Sequence, residues 1–110
     1  MAATCRQRPR LDVAVLAFGT EVWIDVRGEA DSSNHVQLRD GLAAVGLDGV
    51  EVIRLGLGGL TFCDVSGFRE LLTFAKAAGP PSRDISVHEA SHTVRRIAGI
   101  LDEERVLGLA

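Results

Sequence analysis

The chain has 110 residues, 46% of them hydrophobic and 25% charged, an average composition for one domain large enough to bury a core without staples. A net charge of −3 with no basic patch argues against nucleic acid as the main partner, because that binding relies on a basic face. No run approaches the roughly 20 apolar residues of a membrane span, the N-terminus lacks an apolar signal core, and the two cysteines, Cys5 and Cys63, make neither a disulfide framework nor a metal spacing. A cytoplasmic setting with reduced thiols is expected.

Residues 1–10, with Arg6, Arg8 and Arg10 around Pro9, read as a disordered leader before a single domain over 11–110. From Asp12 to Arg27 two extended segments flank Gly19-Thr20, a hairpin turn. In the second, Val22, Ile24 and Val26 alternate with Glu21, Trp23, Asp25 and Arg27, which predicts a strand with one covered and one wetter face. Trp23 falls on the wetter side, either as a partner surface or as an edge-strand residue packed under the leader. Gly28 to Asn34 forms the next turn, and Asp31, Ser32 and Ser33 are all capable N-caps for a helix with apolar positions His35, Leu38, Leu42 and Val45. Gly46 to Gly49 ends that helix.

Val50, Val52, Ile53, Leu55 and Leu57 then form a short apolar run suited to a strand buried on both faces. The period changes at once: Phe68, Leu71, Leu72 and Ala75 predict a helix with one apolar face, N-capped by Asp64. Its turn, Asp64 to Gly67, offers the unpaired N–H groups and dipole of a helix N-terminus, which favour a negative group such as a phosphate. Gly79-Pro80-Pro81-Ser82 stops the helix. Asp84 to Glu89 reads as a strand with Ile85 and Val87 inward. Val94, Ile97, Ala98 and Leu101 form a helix capped by Ser91 or Thr93, and Val106 to Leu109 a last short strand. The order β-β-α-β-α-β-α-β predicts an α/β fold, a mixed sheet with helices on one face.

Catalytic signals are weak, and no cofactor or metal is expected. Gly56, Gly58 and Gly59 lack both the third Rossmann glycine and a following Gly-Lys-Ser/Thr, so they read as close-packing positions at a strand end. Ser66 is not a nucleophile elbow, because Asp64 and Phe68 stand where that motif needs glycines. His88 and His92 are separated by a strand end and have no evident third ligand. His35 reads as a satisfied boundary histidine, and Cys63 as a core thiol.

A family resemblance enters at Leu57-Gly58-Gly59-Leu60-Thr61-Phe62-Cys63-Asp64-Val65-Ser66-Gly67-Phe68, which resembles the signature of STAS domains of the anti-anti-sigma (anti-sigma factor antagonist) family. Gly28-Glu29-Ala30-Asp31 and Ala90 to Ile97 are similar to two further family elements, in the same order and spacing. The resemblance implies a non-catalytic bacterial module that binds an anti-sigma factor of the serine-kinase type, releases a sigma factor and so regulates transcription. It also implies that the Asp31-to-Ser33 turn lies beside the second turn, with Asp31, Ser32, Ser33, Asp64, Val65, Ser66, Gly67, Phe68 and Arg69 as the partner surface. In phosphorylated members the acceptor directly follows the motif aspartate. Here that residue is Val65, which leaves Ser66 as a displaced acceptor or as a helper of the helix N–H groups. The alternative is an adaptor subunit of a lipid or anion transporter or of a stress-sensing complex. The family's terminal helix has no counterpart before Ala110, so a truncated fold with one open sheet face, free for a partner or a homodimer, is expected.

Overall fold

The computed structural model describes residues 11–108. The expected leader, with Cys5 and its arginines, lies outside them. Eight elements follow one another: β1 (Asp12–Phe18), β2 (Glu21–Ala30), α1 (His35–Ala43), β3 (Val52–Leu57), β4 (Leu60–Cys63), α2 (Val65–Ala78), β5 (Asp84–Ala90) and α3 (His92–Ile100). The α/β class and the mixed sheet agree with the sequence, but the fifth strand sits elsewhere. It is β4, directly after β3, whereas residues 104–108 form turns rather than the strand expected from Val106.

The sheet runs β1-β2-β3-β5, with β4 also paired to β2. The Gly19-Thr20 turn joins β1 and β2 as an antiparallel hairpin in which Phe18 pairs with Glu21 and Asp12 with Arg27, and Gly19 takes a φ of +56° that suits glycine. All other pairings are parallel. β2 is therefore central, and Trp23 is not an edge residue.

One side of the sheet carries the core. Val22, Ile24 and Val26 from β2, with Ile53, Leu55 and Leu57 from β3, meet Leu38 and Leu42 of α1, Phe68, Leu71, Leu72 and Ala75 of α2, and Val94, Ile97 and Ala98 of α3. The expectation that β3 is buried on both faces fails, since Val52 and Arg54 on its other side are only half-buried. Among the described residues no helix covers that side. Trp23 lies there with its ring edge-on to His88 at 4.7 Å and the Arg54 guanidinium 5.8 Å from its centroid. Arg54 Nε also donates to Glu21 Oε2 at 2.8 Å, which holds the Glu21 carboxyl below its ordinary range.

Three details of the helices go beyond the periodicity. The N-cap of α1 is Asn34 rather than Asp31, Ser32 or Ser33, and it makes no side-chain cap bond because its amide accepts from the Asp31 N–H and donates to the Glu29 carbonyl; Val45 falls beyond the helix end. Of the two caps expected for α3, Ser91 is the one used, its Oγ accepting from the Val94 N–H at 3.3 Å. Leu101 is the half-buried residue just past that helix.

Candidate functional site

Two turns meet at the end of β2 and β4. Parallel pairing sets Ala30 against Cys63, and the Asp64 N–H donates to the Ala30 carbonyl at 3.1 Å, so each strand leaves the sheet beside the other. In the first turn, Asp31 Oδ1 accepts from the Ser33 N–H at 2.9 Å and the Ser33 hydroxyl at 2.6 Å, while Asn34 Oδ1 accepts from the Asp31 N–H at 2.9 Å. The Asp31 side chain shapes the loop. Ser32 and Ser33 are exposed and Asp31 is half-buried.

In the second turn, Asp64 caps α2 as expected, its Oδ1 accepting from the Gly67 N–H at 3.1 Å. The N-cap position is thus held by Asp64 and not by Ser66. Val65 is 42% exposed, Ser66 half-buried and Arg69 exposed, so the first helical turn presents a valine, a serine and an arginine. Gly67 and Phe68, expected on the partner surface, are buried and position the turn from beneath. A Cβ on Gly67 would stand 2.6 Å from the Ala30 Cβ and 2.7 Å from its carbonyl oxygen, so only glycine lets α2 start this close to β2. Behind the turns, His35 Nδ1 and Glu70 Oε2 meet at 2.8 Å and tie α1 to α2, which makes His35 a satisfied boundary residue.

Cys63 lies under the site. Burial, reinforced by the Asp64 carboxylate, pushes its thiol up to about 12, the opposite of a reactive cysteine. In a Cys5→Ser background, Cys63 should therefore resist a disulfide reagent at neutral pH until the protein unfolds. Because the folded thiol holds its proton more tightly than the unfolded one, stability should fall as pH rises from the ordinary thiol range toward about 12. Fast labelling of native protein would contradict both expectations.

Sequence reasoning missed one neighbour of the site. Phe62, 47% exposed, and Ile100, 71% exposed, join Thr93, Arg96 and Ile97 around an open groove of about 240 Å³ between β4 and α3. Ile100 lies off the apolar face that Val94, Ile97 and Ala98 define on α3, so the helical spacing gives no sign of it. Gly56 and Gly59 are close-packing positions as expected: a Cβ would come within 2.7 Å of the Asp25 carboxylate and 2.9 Å of the Arg27 side chain, respectively. Among the described residues no group of three or more His, Cys, Asp or Glu could hold a metal, and no helix is long and apolar enough to cross a membrane.

A mixed sheet with three helices against one face and a capped strand–turn–helix at its end defines an STAS-type domain. A family model described as "Mlab, STAS domain" matches residues 10–108, and the chain belongs to this STAS family. Among solved structures, an anti-sigma factor antagonist from Mycobacterium paratuberculosis superposes with a TM-score of 0.74 at 16% identity, covering 89% of this chain and 83% of that one. The anti-sigma factor antagonist SpoIIAA in its unphosphorylated form superposes with a TM-score of 0.60 at 21% identity, covering 83% of each chain. The Bacillus cell fate determinant SpoIIAA in its phosphorylated form gives 0.60 and 21%, covering 87% and 86%. These likenesses show a shared fold. A search of curated proteins finds no significant match.

Proposed function

We propose that the protein is a non-catalytic regulatory module of the cytoplasm that docks on a protein partner, an anti-sigma factor of the serine-kinase type, through the paired turns. The observation that carries this reading is the juxtaposition of the Asp31-to-Ser33 turn with the exposed first turn of α2, each pinned by its own aspartate. Val65 replaces the acceptor hydroxyl, so docking is constitutive unless Ser66 takes over. Ser66 lies one residue further along the same turn and does not cap it. A phosphate there would add about two negative charges at the docking surface and break the complex by repulsion and desolvation.

The test is a pull-down of the tagged protein from its own cells, with mass spectrometry of the partners and of the Ser66 peptide. Recovery of a serine-kinase anti-sigma factor is expected. Val65→Arg should abolish that recovery while leaving the melting temperature unchanged, because Val65 is exposed and its loss opens no cavity. Val65 also suits a second reading, an adaptor subunit in which the phosphorylation switch is lost. Recovery of transporter subunits with Ser66 unmodified would replace the first reading with this one.

A further inference from the structure

The two edges of the sheet are treated differently. β5 carries Asp84, Ser86, His88 and Glu89 along its length, and the turns of residues 104–108 run against it: a Cβ at Gly108 would lie 3.9 Å from the Ser86 Cα and 4.0 Å from the Ile85 carbonyl. Charge and a covering segment are the usual devices that keep an edge from pairing with another chain. β1 has neither. Its seven residues, Asp12 to Phe18, contain no charge after Asp12, no proline, no glycine and no bulge, and they pair with β2 in unbroken register. Val15, Leu16 and Phe18 are 48%, 59% and 55% exposed.

We propose that β1 is a self-association edge, pairing antiparallel with β1 of a second copy to join two sheets into one. The occupant follows from the strand's own pattern. Antiparallel pairing centred on Leu16 lays that leucine beside its copy, sets Phe18 opposite Ala14 and Val15 opposite Ala17, and places Asp12 opposite Thr20, so apolar meets apolar and no like charges face each other. The charged neighbours on the helix-free face are already paired, Arg27 with Asp25 and Arg54 with Glu21. A twofold axis normal to the sheet keeps both helix layers on one side, closes the assembly at two copies and leaves both pairs of docking turns open. A contact made by one strand and its flanking side chains falls at the small end of specific interfaces, below about 1,200 Å², so the dimer should be concentration-dependent.

The first experiment is sedimentation velocity of the full chain over a concentration series. The mass should rise toward twice that of one chain, and Leu16→Lys should raise the association midpoint by about tenfold or more, since the ammonium would be desolvated in the pair. Phe18→Lys is the second variant, for use if Leu16→Lys lowers the melting temperature. The second experiment is mild oxidation of Leu16→Cys in a Cys5→Ser background, which should give a disulfide-linked dimer, whereas Asp40→Cys on the exposed side of α1 should not. Monomer at every concentration, or a dimer indifferent to both lysine variants, would overturn the proposal. So would an intramolecular bond between Cys5 and the new thiol when Cys5 is restored, because the edge would then belong to the chain's own N-terminal residues.

Discussion

Replacing Phe68 by alanine is expected to cost about 3–5 kcal/mol. The ring is fully buried beneath the site, in the same cluster as Ala30, Leu60 and Cys63, and truncation leaves a cavity that the surrounding strands cannot close. Against a total stability of about 5–15 kcal/mol for a domain of this kind, that is enough to bring the protein near its unfolding threshold. Urea denaturation should show the midpoint falling by more than about 1 M with little change in slope. Phe68→Ala would lose partner binding too, but only in proportion to the unfolded fraction, whereas Val65→Arg loses it with the fold intact. A cost below about 1 kcal/mol would mean that the ring does not hold the core together.

Gly67→Ala is the second large effect, and its sign depends on a competition. Alanine is favoured over glycine inside a helix by about 1 kcal/mol, and Gly67 does not have a positive φ, so the backbone itself would accept the change. Sterics oppose it: the new methyl would meet the Ala30 carbonyl oxygen at 2.7 Å and its carbonyl carbon at 2.9 Å, and main chain fixed in a parallel ladder cannot swing aside. Overpacking of this kind costs about 1–3 kcal/mol and occasionally more, so the net change should be destabilising, with a fall in melting temperature of roughly 5–10 °C. Ala30→Gly in the same chain should recover only part of the loss, because it removes the methyl and leaves the carbonyl. A melting temperature at or above that of the parent protein would show that α2 can retreat from β2 freely.

The fold was legible where one physical signal dominated. Alternation along Glu21 to Arg27, the glycine at the hairpin turn, and the switch of period at Asp64 each point to one outcome, and the structure has it. The site was legible in outline for the same reason: Asp64 is a capping residue at a change of period, and the parallel strands bring both turns to one end of the sheet. The misses came where signals compete. Leu60 to Cys63 is too short to show a period, and two glycines precede it, so a strand that exists only by pairing with the end of β2 looked like part of a turn. Asp31, Ser32 and Ser33 are all capable caps, yet local hydrogen bonds within the turn, invisible in the sequence, carry it one residue further and put Asn34 at the position. Phe68 was expected on the partner surface because it belongs to the motif, although its place in the i, i+3, i+4 series already put it inside.

β2 is the one strand that borders three others: β1 along most of its length on one side, β3 and then β4 on the other. From Glu21 to Asp25 it has a strand on either side, so release of that part would require the separation of both neighbours. Local opening is therefore expected first at the margins of the molecule, and the pair of turns that leaves the end of β2 is mounted on a strand anchored in the middle of the sheet. A partner can bend or reorder those turns at little cost to the sheet, and the orientation in which they are offered stays fixed for as long as the protein is folded.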